Sequence, residues 1–261
     1  MIYINNRDKL LSLNLNESFI VFDFDRTMTT HDSLTSWSVI ESSSLVSNRY
    51  RNYSKELYDY YRKLEIDNTI DYELKKQLME EWMSKQLDLL TMFINKESFE
   101  QLLKESSNIK FREGIDKFLK KMHTLNIPII VISAGLGNIV KEAIRLINCL
   151  YDNVNIISNM LLFDDKFKVD GEVINSVNKA SLFIPENIHM EIADKKQVIL
   201  FGDQISDLTC LENFKTEKQF SIGFLTDETG KYFNEYIKHF DIVCTEDENY
   251  RKLGKILMKK R

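Results

Sequence analysis

The sequence predicts an α/β fold: a parallel sheet wrapped by helices and interrupted once by a block that is helical throughout. Three observations predict it. Short apolar runs such as SFIVFDF (18–24), IPIIVIS (127–133) and VILFGD (198–203) read as strands buried on both faces. They alternate with stretches of helical period, the pattern of parallel strands joined by crossover helices. The stretch 32–107 lacks Gly and Pro and is rich in Ser, Tyr, Lys and Glu. It shows helical spacing only and reads as an insertion.

The elements follow in order. Residues 18–24 form the first strand, which stops on Asp23 and Asp25. In the inserted block Leu74, Leu78, Trp82, Leu89 and Phe93 fall on one helical face. Gly114 to Leu125 is an amphipathic helix, 127–133 a strand ending in Ser133-Ala134-Gly135, and 138–149 a helix. Residues 154–163 have strand character, 198–203 form a strand ending on an acid, and 220–225 and 240–244 are further short strands. A helix over 248–260 closes the chain. In sheets of this kind ligands bind at the carboxyl ends of the strands, so Asp23/Asp25, Ser133 and Asp203 mark where chemistry should lie.

Composition narrows the function classes. The 261 residues carry 35 Lys plus Arg against 40 Asp plus Glu, a net charge of −5. That argues against a nucleic-acid polymer as partner, because such binders show a basic excess. A mononucleotide, whose single phosphate needs only one or two cations and a metal, remains compatible. Cys149, Cys210 and Cys244 are odd in number and far apart, which excludes a disulfide framework and a zinc ribbon. The N-terminal stretch is interrupted by charges, and no apolar run approaches the ~20 residues of a membrane span. The expectation is a cytoplasmic, reduced, monomeric protein with no membrane partner.

Four short motifs carry chemistry. In Asp23-Phe24-Asp25-Arg26-Thr27 the two acids alternate along an extended chain and can face one side. Paired carboxylates suit a nucleophile beside an acid/base, though the same residues fit a polar strand end followed by a Thr helix cap. Gly202-Asp203-Gln204-Ile205-Ser206-Asp207 sets two acids four residues apart. Such oxygens suit Mg²⁺, and capping by Asp203 or Ser206 is the alternative. Ser133-Ala134-Gly135-Leu136-Gly137 offers a hydroxyl and main-chain N–H groups to one phosphate. Val140 stands where a dinucleotide fingerprint needs its third glycine. The fourth is Lys179, in Val177-Asn178-Lys179-Ala180; taken alone it reads as a solvated helix start.

The order DxDxT, Ser after a strand, Lys, then GDxxxD resembles the haloacid dehalogenase superfamily of phosphotransferases. Within it, SAGLGNIVKEAIR, ISNMLLFDD, VNKA, LFGDQISDL, IGFLTD, FDIVCTEDE and the stretch LMEEWMSKQLDLL are similar to the cytosolic 5'-nucleotidase III family, that is, the pyrimidine or 7-methylguanosine phosphate-specific 5'-nucleotidases. The similarity covers roughly residues 19 to 248. It implies a Rossmann-like core of residues 1–31 and 108–261, with a helical type 1 cap over 32–107. It also implies a Mg²⁺-dependent nucleotidase: Asp23 as nucleophile, Asp25 as acid/base, and Mg²⁺ on the Asp23 carboxylate, the Asp25 carbonyl and Asp203, with Asp207 in support. Ser133, Ala134 and Lys179 would hold the phosphoryl group. Glu81 on the cap would read the base, although it also precedes Lys85 by four residues, the spacing of a surface ion pair. Another small phosphomonoester such as phosphoserine, or a non-catalytic nucleotide sensor, are the alternatives. Three departures bear on substrate choice: Arg26 where relatives have Met, Gln86 where they have a cap serine, and the Ser- and Tyr-rich segment after Thr30.

Overall fold

The computed structural model describes residues 1–67, 69–225, 232–245 and 249–258. The chain runs β1 (Ile2–Ile4), α1 (Arg7–Leu11) and β2 (Ser18–Phe22), then four helices: α2 (Ser36–Ser42), α3 (Asn48–Ile66), α4 (Tyr72–Phe93) and α5 (Lys96–Leu102). It continues with α6 (Ile115–Thr124), β3 (Ile129–Leu136), α7 (Gly137–Leu146), β4 (Val154–Asn159), β5 (Leu161–Asp164), β6 (Lys166–Val169) and α8 (Glu186–Ile192). It ends with β7 (Gln197–Gly202), β8 (Lys218–Leu225), α9 (Phe233–His239), β9 (Ile242–Thr245) and α10 (Tyr250–Leu257). Seven strands form one sheet in the order β1-β9-β8-β7-β2-β3-β4, parallel except for β1 on the edge.

The apolar strands are continuous because both sheet faces are covered. Ile20 and Phe22 of β2, Ile199 and Phe201 of β7, and Ile129 and Val131 of β3 point to one side, against α6, α7 and α10. Phe19, Val21, Val198, Leu200, Ile130 and Ile132 point to the other, against α8 and the 3-10 helix Ile205–Asn213. Phe22 and Phe201 stack at 4.6 Å, with Phe118 and Tyr250 packed edge-on and tilted about them. Each such buried aromatic stabilises the fold by roughly 1.5–3 kcal/mol. This packed floor lies directly beneath the strand ends.

Helices α2 to α5 start without Pro or Gly because polar side chains cap them. Thr35, Ser47, Asp71 and Asn95 each accept an N–H from the first turn of α2, α3, α4 and α5. The buried face of α4 matches the expected one only in part. Leu89 is buried as expected, but so are Met79, Met83, Leu87 and Leu90, whereas Leu74 is exposed. Two stripes of α4 share the same period, and the one that meets the core wins. Phe93 packs against the core through Tyr50 of α3, and Trp82 stacks on Tyr61 of the same helix at 5.7 Å.

Other boundaries also differ. The run 154–163 breaks at Met160 into β4 and the first strand of a β5–β6 hairpin. That hairpin reaches α4: Phe167 N donates to Thr91 Oγ1 at 3.0 Å. The three-residue β1 carries too short a pattern to be read from sequence. Thr226 and Asp227 of IGFLTD, residues 246–248 of FDIVCTEDE and the two ends of the expected closing helix lie outside the described residues. Among the described residues no helix is long and apolar enough to cross a membrane.

Candidate active site

Because β2 lies between β7 and β3, the carboxyl end of β2 is flanked by theirs. Asp23, Asp203 and Ser133 therefore meet on one edge of the sheet. Asp23 extends the ladder by one residue, its N–H donating to Phe201 O at 2.9 Å. Past it the chain folds into a tight turn in which Met28 N donates to Phe24 O at 3.0 Å. Arg26 occupies the left-handed region at φ 65°, which costs a non-glycine residue roughly 1–2 kcal/mol. Its N–H donates to Thr29 Oγ1 at 2.7 Å. Asp25 is half-buried and accepts Ser36 N, at the start of α2, at 3.3 Å.

Ser36 also joins the Ser133–Gly137 motif, its Oγ accepting Leu136 N at 3.0 Å. A Cβ on Gly135 would stand 2.1 Å from that Oγ, so only glycine permits the approach. Ser133 is buried, and its Oγ accepts Gly135 N at 3.1 Å. That bond leaves the hydroxyl proton free to donate. Asn159 donates to Ala134 O and Ile174 O and accepts Ile174 N, tying this turn to the segment that leads to Lys179.

Lys179, 6% exposed, donates to Asp23 Oδ1 at 2.9 Å and to Asp207 Oδ1 at 2.7 Å. Lys179 stands in a turn, not at the helix start expected of it, and becomes the central cation of the site. Its backbone is pinned by Asn213, which donates to Lys179 O at 2.7 Å. Asp207 in turn accepts Asp203 N and Gln204 N on its second oxygen, at 3.1 and 2.9 Å. Gly202 allows this tight return, since a Cβ there would lie 2.7 Å from Asp207 Cβ.

One carboxylate oxygen each from Asp23, Asp203 and Asp207 gathers within 4.8 Å. One lysine cannot neutralise three acids. Burial first, and then the charge of Asp207, push Asp23 up to about 6 despite Lys179. Burial and the Asp23 charge push Asp25 up to about 7. Burial, Asp23 and Asp207 hold Asp203 well above the carboxylate range. Burial alone would lower Lys179, but Asp207 and Asp23 outweigh it and raise it. Asp23 Oδ2 is buried with no hydrogen-bond partner among the described residues. An orphaned oxygen among crowded hard donors fits a divalent cation such as Mg²⁺.

The cap residues fall out differently. Glu81 is half-exposed and forms the ion pair with Lys85 at 2.7 Å; Lys85 also donates to Tyr61 OH. None of these partners belongs to the acid pocket. Gln86 is buried, 3.3 Å from Ser54 Oγ, at a helix junction. Two side chains of α3 that the sequence did not mark bear on the site. Glu65 of α3 accepts Ser176 Oγ at 2.5 Å, three residues before Lys179. Arg62 pairs with Glu65 and feels the charge of Asp203. No spacing rule marks them, because Glu65 meets a segment far along the chain and Arg62 is tied to it through Glu65.

The family profile for pyrimidine 5'-nucleotidase (UMPH-1) matches residues 25–260. A 7-methylguanosine phosphate-specific 5'-nucleotidase of Xenopus laevis is 33% identical over 251 residues, covering 91% of this chain and 86% of the relative. The Homo sapiens protein of that name is 31% identical, covering 88% and 80%. In fold, the chain resembles a crystal structure of cytosolic 5'-nucleotidase IIIB bound to cytidine, with TM-score 0.83, 24% identity and coverage of 98% and 92%. A substrate-bound phosphoserine phosphatase complex shares the fold more distantly, with TM-score 0.54, 18% identity and coverage of 91% and 96%.

Proposed function

Because this chain belongs to the pyrimidine 5'-nucleotidase family, phosphoric monoester hydrolases on the haloacid dehalogenase fold, we propose that it hydrolyses nucleoside 5'-monophosphates through an aspartyl-phosphate at Asp23. The observation that carries this reading is the buried cluster of Asp23, Asp203 and Asp207 around Lys179, with Asp23 Oδ2 unpartnered.

A carboxylate oxygen of Asp23 attacks phosphorus and the bond to the 5'-oxygen breaks, with Asp25 protonating the departing oxygen. Asp25 then takes a proton from water as that water attacks phosphorus, and phosphate leaves with Asp23 regenerated. Ser133 donates its hydroxyl proton to a phosphoryl oxygen, next to the Ala134 main-chain N–H. Lys179 has one ammonium proton left after Asp23 and Asp207, and aims it at the same group. Asp23, Asp203 and the Asp25 carbonyl would hold Mg²⁺, with Asp207 fixing Lys179 and the Asp203 turn behind them. The metal would neutralise charge on the transferring phosphoryl group.

The substrate class is a pyrimidine or 7-methylguanosine monophosphate, the latter after the names of the relatives. A panel of CMP, UMP, 7-methyl-GMP, phosphoserine and p-nitrophenyl phosphate, assayed with Mg²⁺, tests it. The nucleotides should be turned over fastest. Preference for phosphoserine, which Arg62 could favour through its carboxylate, would overturn the nucleotidase reading, and no turnover at all would leave a sensor.

Residues 32–107 act as the cap, which Glu65 of α3 joins to the segment before Lys179 through Ser176. Two of its carboxylates compete to read the base: Glu81, singled out by resemblance, and Glu65, which faces the Lys179 segment. The geometry favours Glu65. Losing one charged hydrogen bond costs about 1.5–3 kcal/mol, or roughly 10–150-fold. Glu65→Gln should lower kcat/KM for the nucleotide by that factor and spare p-nitrophenyl phosphate. Glu81→Gln should change both substrates by less than about twofold, as expected for an exposed ion pair. The reverse pattern would return the role to Glu81.

A further inference from the structure

The turn that carries both reactive acids is held from behind by two buried side chains outside the four motifs. Arg112 is 1% exposed. Its guanidinium donates to Arg26 O at 2.7 Å and to Thr27 O at 3.1 Å, and its own N–H donates to Met28 O at 2.9 Å. Its flat face lies 4.3 Å over the ring of Phe224. Tyr250, equally buried, donates its hydroxyl to the same Thr27 O at 3.0 Å. These bonds end on the peptide groups that immediately follow Asp25, at the left-handed Arg26. On the other side, the bond that the Asp25 carboxylate accepts among the described residues is the long one from Ser36 N, at 3.3 Å.

Arg112 also stands where the chain returns from the helical block. Thr30 N donates to Lys110 O at 2.9 Å, and Thr29 bridges Phe111. The outgoing and returning strands are thus sewn together beside the acids. A planar fork can grip two successive carbonyls at fixed angles, which a lysine cannot.

We propose that Arg112, backed by Tyr250, is a positioning residue that locks the turn after Asp25 and so aims the Asp25 carboxyl at the leaving and attacking oxygens. This rests on Asp25 being the acid/base. A misplacement of about 1 Å in such a group can cost on the order of 100-fold in rate.

The test compares Arg112→Lys, Tyr250→Phe and Asp25→Asn at saturating Mg²⁺, well below their melting temperatures. Arg112→Lys should lower kcat for CMP or 7-methyl-GMP by about 10–100-fold, and Tyr250→Phe, which removes one oxygen, by roughly 2–10-fold. KM should move by less than about twofold, since ground-state binding is untouched. With p-nitrophenyl phosphate, whose leaving group needs little protonation, both should keep a rapid burst of nitrophenolate and then turn over slowly. A merely structural role would instead lower melting temperature and folded fraction, and leave kcat per folded molecule and the burst pattern as in wild type. That result overturns the proposal. If Arg112→Lys does not fold, Tyr250→Phe decides by the same readouts. If Asp25→Asn itself keeps full turnover, the acid/base assignment fails; if it is slow while the other two are not, only the positioning role fails.

Discussion

Replacing Asp23 by Asn is expected to abolish turnover, by on the order of 10⁴-fold or more, while leaving the protein folded. The amide keeps the volume and can still accept from Lys179, which now donates to Asp23 Oδ1 at 2.9 Å. It cannot form the acyl-phosphate, so the reaction loses its covalent route. Stability should not fall with activity. Asp23 is buried beside Asp203 and Asp207, and burial with the Asp207 charge pushes it up to about 6. Removing that charge relieves repulsion that a single lysine only partly offsets. A thermal melt in chelator should therefore give Asp23→Asn a Tm equal to or above that of wild type. Activity within tenfold of wild type would sink the nucleophile assignment.

Chelation should be nearly as severe. With EDTA in excess, turnover is expected to drop to background, and added Mg²⁺ should restore it. Binding can be read without catalysis, because a ligand at 100 times its Kd stabilises the folded state by about 2.7 kcal/mol. Mg²⁺ should raise the wild-type Tm accordingly. Asp203→Ala removes one of the three clustered oxygens, so it should need much more Mg²⁺ for both the Tm shift and activity. Full activity in EDTA, stimulation by Zn²⁺ alone, or an unchanged Mg²⁺ requirement in Asp203→Ala would refute the oxygen-ligand site.

The parts of the site legible in the sequence are those that end strands. Asp23, Ser133 and Asp203 could be placed because an apolar run stops on them and parallel strands bring such ends together. Lys179 could not be placed by pattern, and only resemblance marked it; its partners Asp23 and Asp207 are remote in sequence. Asn159, Asn213, Arg112 and Tyr250 escaped for a related reason. Each acts through its side chain on main-chain groups remote in sequence, which leaves no periodicity to read. The α4 face is legible only in part, at Leu89 and Phe93, because its apolar residues form two stripes and periodicity does not say which meets a neighbour. Glu81 has the residue type for reading a base, but its i,i+4 lysine competes for it at short range and holds it half in solvent.

The central place of β2 has a consequence for how the molecule acquires its chemistry in time. Ile20 pairs with Ile129 on one side and Ile199 on the other, so neither neighbour is local in sequence. Closing such loops costs entropy before the contacts repay it, though each doubling of loop length adds only about 0.6 kcal/mol. The whole helical block can therefore sit inside the first loop with little thermodynamic penalty, but it makes β2–β3 pairing slow relative to helix formation. Helices such as α3 and α4 can form early; the acid cluster exists only once β2 is seated between β3 and β7. In refolding from urea, helical ellipticity should recover in a fast phase, and phosphatase activity only in the slowest one. Partly folded chains would thus carry none of the hydrolytic capacity, however much helix they display.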